Sequence, residues 1–96
     1  MDNRIIQAVQ NQQLLRFQYD GGERVVEPHC YGQTTKGNEA IRAFQVRGYS
    51  STGTLGWRIF KLTKATSMEV LDEVFDNPRS DYKRGDEGMS VIYAEI

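Results

Sequence analysis

Hydrophobic and polar positions recur along this chain in two rhythms. Near the start, Ile5, Ile6, Ala8 and Val9 form one apolar helical stripe. Asp2 precedes them, a residue type whose carboxylate accepts from the free N–H groups of a first turn, so a short helix is predicted over about 3–12. The rhythm then shortens to two: Leu15, Phe17 and Tyr19 share one face of a predicted strand, with Arg16 and Gln18 on the other. Asp20-Gly21-Gly22 offers hairpin chemistry. Arg24–Tyr31 reads as the return strand, in which Pro28, lacking an N–H, must take an edge, an end or a bulge. Thr35-Lys36-Gly37-Asn38 is the next turn. Ile41–Tyr49 alternates again, with Phe44 and Val46 on one face and Ile41, Ala43, Gln45, Arg47 and Tyr49 on the other. Ser50–Gly56 is a loop of small residues, and Trp57–Leu62 is a strand with Phe60 and Leu62 facing together and Trp57 opposite in parity.

Met68–Phe75 fits two patterns, a helical stripe through Met68, Leu71, Val74 and Phe75 or the alternation that begins Met68-Glu69-Val70. Asp76–Gly88 is polar and loop-like, and Met89–Ile96 reads as a last strand. Short strands with turns roughly every 8–12 residues indicate a mainly β fold, a small barrel of five or six strands behind one short N-terminal helix. The whole of 1–96 is read as a single domain, with the barrel over about 13–75 and a loop and final strand over 76–96. Phe17, Phe44, Val46, Phe60 and Leu62 are its expected core. If Ser50–Gly56 closes a hairpin, Arg47 would lie near Arg58 and Arg42 near Lys64.

Composition adds limits. Hydrophobic residues make up 39% and charged residues 26%, a balance that folds rather than stays disordered. No apolar run approaches the roughly 18 residues needed to cross a membrane. The opening residues show no signal-peptide core, so the expected compartment is the cytoplasm. Cys30 is the only cysteine, which excludes an internal disulfide and fits a reducing environment. The net charge of −1 conceals an asymmetry: residues 1–64 carry nine Lys/Arg against five acids, and residues 65–96 carry three against eight. A basic face that meets anions is one reading of this, and a dipolar surface without a partner is the other.

Arg24-Val-Val-Glu-Pro-His29, with Tyr19 upstream and Trp57-Arg-Ile-Phe-Lys-Leu62 downstream, resembles the WYL domain of prokaryotic and phage regulators. The resemblance runs over roughly 13–96. It departs near Ala40-Ile41-Arg42, where the name-giving Trp-Tyr-Leu would fall and where an arginine stands instead of an aromatic. The resemblance implies an Sm-like (SH3-like) barrel, a free-standing module without a DNA-reading domain, and a role in transcription regulation through a bound nucleotide or single-stranded nucleic acid. It places Arg24, Arg58 and His29 toward that ligand.

From the residues themselves, Arg24, Arg42, Arg58 and Lys64 are the candidate anion contacts, because a guanidinium donates two parallel hydrogen bonds to a phosphate. Arg47 and Lys61 read better as solvent-facing. Tyr19, Tyr31, Tyr49 and Trp57 are candidate stacking aromatics, with Trp57 the best exposed platform, the alternative being core aromatics. His29 is either a ligand contact or a structural histidine. It has no metal partner, since adjacent Cys30 points to the opposite face of a strand. No phosphate loop, calcium loop, paired carboxylates or activated nucleophile is present, so neither an enzyme nor a cofactor site is expected. The expected function is therefore a non-catalytic regulatory module that holds a nucleotide or short single-stranded nucleic acid in a basic groove. The alternative is a protein-interaction module, a homodimer or a partner-regulator binder. A domain that has lost its ligand along with the missing aromatic is a third possibility.

Overall fold

The computed structural model describes all of residues 1–96. Helix α1 (Asn3–Asn11) begins where Asp2 caps it, the carboxylate accepting from the Arg4 N–H at 2.9 Å. It stops at Gln12, which turns left-handed (φ 54°) and sends its N–H back to the Ala8 and Val9 carbonyls. Strands β1 (Gln13–Tyr19) and β2 (Gly22–Thr34) form a hairpin closed by Asp20-Gly21. Both turn residues have positive φ (37° and 101°), as the primed two-residue turns require. The remaining strands are β3 (Glu39–Gly48), β4 (Gly56–Lys61), β5 (Thr66–Val74) and β6 (Met89–Glu95), with a 3-10 turn at Leu62–Lys64 between β4 and β5. Met68–Phe75 thus follows its alternating pattern rather than its helical one.

Strand β2 organises the sheet. One of its edges pairs with β3; the other pairs with β1 over Gly22–Val26 and with β6 over Cys30–Thr34. Pro28 falls in the gap between those two partners, beside a register shift against β3, so its missing N–H costs the ladder nothing.

The closed barrel expected from the sequence is not formed. The six-stranded sheet runs β4-β3-β2-β1-β5, with β6 joined to β2, and its two ends are not paired with each other. Closure needs a ladder of backbone bonds between the end strands. The β4 end is instead held to β1 by side chains. The Phe60 ring of β4 packs edge-on against Phe17 and Tyr19 of β1, at 5.1 and 5.0 Å between centroids. The Tyr19 hydroxyl accepts the Lys61 N–H at 3.2 Å.

The main core lies on the inner face, where Ile5, Ala8 and Val9 of α1 meet Leu15, Phe17, Val26, Tyr31, Ile41 and Phe60. The expected core is half corrected. Phe17 and Phe60 belong to it and Leu62 packs against it, but Phe44 and Val46 point to the outer face. The alternation of β3 holds, but its inward side is the reverse of the expected one: Ile41, Ala43 and Gln45 are the buried set. The ambiguity arises because both faces are covered. The outer face carries a second cluster of Leu14, Val25 and Phe75 with Val46 packed against it, and a third around Cys30, Ala40 and Met89. Strand β2 accordingly is buried on both sides from Arg24 to Gly32.

The β3–β4 register also differs from expectation. Ala43 opposes Arg58 and Arg42 opposes Ile59, so neither Arg47 with Arg58 nor Arg42 with Lys64 faces across the hairpin. Strand β3 ends at Gly48, at φ 99°, where a Cβ would meet the Glu23 carbonyl oxygen at 2.2 Å. The chain leaves the sheet there and lengthens the connection. No helix is long and apolar enough to cross a membrane.

Candidate functional site

Seven of the twelve Lys/Arg side chains are neutralised by carboxylates within the chain. The pairs are Arg4–Asp2, Arg16–Glu69, Arg42–Asp86, Arg47–Glu73, Lys64–Asp20, Arg79–Glu27 and Arg84–Glu95. Three of these pairs, Arg16–Glu69, Arg42–Asp86 and Arg47–Glu73, join a basic residue of the first 64 to an acid of the later segment, so part of the sequence asymmetry is internal. Arg42 is a clear case. Its Nε donates to Asp86 at 2.8 Å, and this bond holds the Asp86 carboxyl below the usual carboxylate range. Lys64 sits 3.6 Å from Asp20, both exposed.

Arg24 and Arg58 are different. Arg24 is 1% exposed and has no carboxylate partner. Its guanidinium donates to the Tyr19 and Asp20 carbonyls and to Gln45 Oε1, at 3.2–3.3 Å, and lies 5.6 and 5.3 Å from the Tyr19 and Tyr49 ring centroids. Tyr49 reaches it by lying on the hairpin turn. A Cβ on Gly22 would stand 2.6 Å from the Tyr49 Cβ, so only glycine admits the ring. Burial lowers the Arg24 pKa, and the neighbouring Arg58 charge lowers it further. Arg58 is exposed, makes no ion pair, and rests 5.6 Å from the Tyr19 centroid and 5.7 Å from that of Phe60. Tyr19 itself is 5% exposed. It serves as the apolar floor between two guanidinium groups rather than as an open stacking face.

Beside Arg58 lies a hollow of about 250 Å³, lined by Gln45, Ser50, Thr52, Thr54 and Trp57. Gln45 fixes its inner wall, its amide donating to the Arg47 and Tyr49 carbonyls at 3.0 and 2.9 Å while its oxygen takes Arg24. The unpaired Arg58 guanidinium and three hydroxyl side chains line it, with the Arg24 charge held behind Gln45, an arrangement suited to an oxyanion.

Trp57 also lines a larger hollow of about 450 Å³ with Arg42, Tyr82, Lys83, Arg84 and Asp86. Its ring stacks on Tyr82 (6.0 Å, 27°), and its Nε1 donates to Asp81 at 2.8 Å, so one side is covered and it is only half-exposed. Arg42 and Asp86 neutralise one another there, and Arg84 is taken by Glu95.

His29 is fully buried, 4.7 Å from the Trp57 ring, 4.9 Å from Tyr82 and 5.3 Å from Phe75. Both its nitrogens are engaged, Nδ1 with the Glu27 carbonyl at 2.9 Å and Nε2 with the Arg79 N–H at 3.1 Å. Burial lowers its pKa and keeps the ring neutral. Cys30 is buried beside it, its thiol pushed up to about 12 by burial, which makes it a poor nucleophile.

The structure thus brings Arg24, Arg58 and Tyr19 together, with Trp57 on the rim. Arg42 and His29 instead fasten the 79–88 segment, His29 lying against the Trp57 ring, and Lys64 is paired with Asp20, whose carbonyl accepts from Arg24. Sequence reasoning passed over Gln45 and the Ser50–Thr54 hydroxyls; Tyr49, expected as a stacking aromatic, lies against the Arg24 guanidinium. The repeated Ser and Thr next to a basic strand were the available signal. No group of three or more His, Cys, Asp or Glu side chains is placed to hold a metal ion.

Comparison with family models, curated proteins and solved structures yields no match. The resemblance to the WYL domain, and the nucleic-acid-binding and transcription-regulation role it implied, thus find no support. What is supported is a small, mostly β domain with one short N-terminal helix.

Proposed function

We propose that this chain is a non-catalytic binding module for a small oxyanion-bearing ligand of the nucleotide class, seated beside Arg58 at the start of β4. One observation carries the reading: the two arginines without a carboxylate partner lie against the same Tyr19 ring. Like charges left adjacent repel, and an anion between or beside them removes that cost. Arg24 is fixed by carbonyls and supplies field rather than contact; Arg58 supplies free N–H donors. Trp57, on the same hollow, offers a flat apolar surface for a ring attached to the phosphate.

Calorimetric titration with inorganic phosphate and with a nucleoside monophosphate at low salt tests this. The nucleotide is expected to bind at micromolar to millimolar affinity and more tightly than phosphate. Arg58→Ala should weaken it by about tenfold, the worth of one charge-assisted contact. Lys36→Ala, in the β2–β3 turn, should change nothing. Equal binding by Arg58→Ala, or no heat with either ligand, rejects the reading.

A further inference from the structure

An open sheet leaves two end strands with unpaired outer edges, and here those edges carry opposite charge. Strand β4 and the 3-10 turn after it hold Arg58, Lys61 and Lys64 and no acid. Strand β5 holds Glu69, Asp72 and Glu73, followed by Asp76, and no Lys or Arg. Neither edge is blunted by proline, although long exposed edges are commonly protected against pairing with other chains. The cover is slight. Arg4 of α1 reaches the Met68 carbonyl at 3.2 Å, and the Tyr19 hydroxyl takes one β4 N–H. Beyond these contacts, Val74 at the end of β5 is 61% exposed, large for an apolar side chain at a sheet edge.

We infer that copies of this chain associate head to tail, the basic β4 edge of one against the acidic β5 edge of the next. The two edges differ from each other, so the contact is heterologous. It propagates into a ring or an open filament rather than stopping at a two-fold dimer. Backbone bonds across the junction supply affinity and the opposite charges supply direction and register, as in other additions to a sheet edge. Some of the charged groups already have partners within the chain: Lys64 with Asp20, Glu69 with Arg16, and Glu73 with Arg47. Lys61 and Asp72 have none, and they carry the test. A strand-edge junction is small beside standard interfaces, so the association is weak and salt-sensitive. This inference does not depend on the oxyanion site.

The experiment measures solution mass by light scattering for the full chain, at high protein concentration, in low and in high salt. The wild type is expected at multiples of 11.0 kDa in low salt and at the monomer mass in high salt. Lys61→Glu and Asp72→Lys should each weaken association by about tenfold while far-ultraviolet circular dichroism stays unchanged. Mixing the two variants should restore it. The reversed β4 edge of one variant then meets the reversed β5 edge of the other, and at the alternate junctions the two native edges meet. The double variant should associate like the wild type. A monomer at every concentration in low salt overturns the inference. So does an oligomer indifferent to both reversals, one lost in each single variant and not regained on mixing, or a mass that stops at the dimer at every concentration, which would mark a two-fold contact.

Discussion

The two faces of the sheet are built differently. The inner face is a continuous apolar cluster in which α1, β1, β2, β3 and β4 interlock through Ile5, Leu15, Phe17, Val26, Ile41 and Phe60. The outer face is covered by a segment of no regular structure, fastened by directional polar contacts. Arg79 makes two bonds to Glu27 (2.8 and 3.1 Å) and lies 3.9 Å over the Phe44 ring. Arg42 holds Asp86, Trp57 holds Asp81, and the Tyr82 hydroxyl donates to the His29 carbonyl at 3.1 Å. Inner-face stability is therefore a matter of area and fit. Outer-face stability is a matter of geometry and protonation.

The largest effect expected from this difference is at Phe60. Truncation to alanine removes the ring shared by β1 and β4 and leaves a cavity, costing about 3–5 kcal/mol in chemical denaturation. Phe44→Ala, on the half-buried outer face, should cost clearly less. Equal losses would mean that the two faces do not differ as described.

An intermediate effect is expected at Glu27→Ala. It deletes a bidentate acceptor that is largely buried, while Arg79 can still turn toward water, so about 1–2 kcal/mol is lost. Hydrogen exchange should locate the loss in residues 79–88 and leave α1 and β1 unchanged. Exchange rising evenly through the chain would contradict the separation of the faces.

The smallest effect is the pH dependence of that same fastening. Neutral His29 accepts the Arg79 N–H through Nε2, and protonation there would replace an acceptor with a donor. The ring's pKa is lowered by burial, and Glu27, Arg79 and Asp81 are the charged groups that act on it. The unfolded chain therefore takes up the proton first. Stability falls as pH drops below about 6.5 toward the lower folded value. His29→Gln should flatten the denaturation midpoint between about pH 7 and pH 5, the range in which an unperturbed histidine titrates. The carboxylates held low by arginines, Asp86 among them, act only at more acid pH. An unaltered slope in the variant would remove His29 from this role.

The inner face was legible in the sequence because its signals are local. Asp2 caps, Asp20-Gly21 turns, and Leu15, Phe17 and Tyr19 alternate against a single buried side. The outer face was not, because alternation names two sides and not which is buried, and β3 has apolar residues on both. Arg79 and Asp86 lie in a polar stretch without period, and only the fold brings them 52 and 44 residues back along the chain to Glu27 and Arg42. The closed barrel failed for a related reason. Strand count and turn spacing do not say whether the end strands meet, and here β4 packs on β1 through the Phe60 and Tyr19 rings while no ladder joins it to β5. Within the candidate site, Arg24 and Arg58 shared their type with the other basic strand residues and stood out only through the resemblance. Their shared floor and the Gln45 wall came from the register of β3 on β4.

The split pairing of β2 also fixes an order of events in time. Its first half is matched by β1, a neighbour across a two-residue turn, and can zip as soon as that hairpin exists. Its second half waits for β6, about sixty residues later in the chain, whose contact closes a long loop and is correspondingly slow. While the chain is being made, Cys30–Thr34 holds an unmatched edge until residues 89–95 arrive. The vulnerable interval thus runs from the closing of the β1–β2 hairpin to the arrival of β6, and a chaperone or a chance encounter with another nascent chain would meet the protein at that edge.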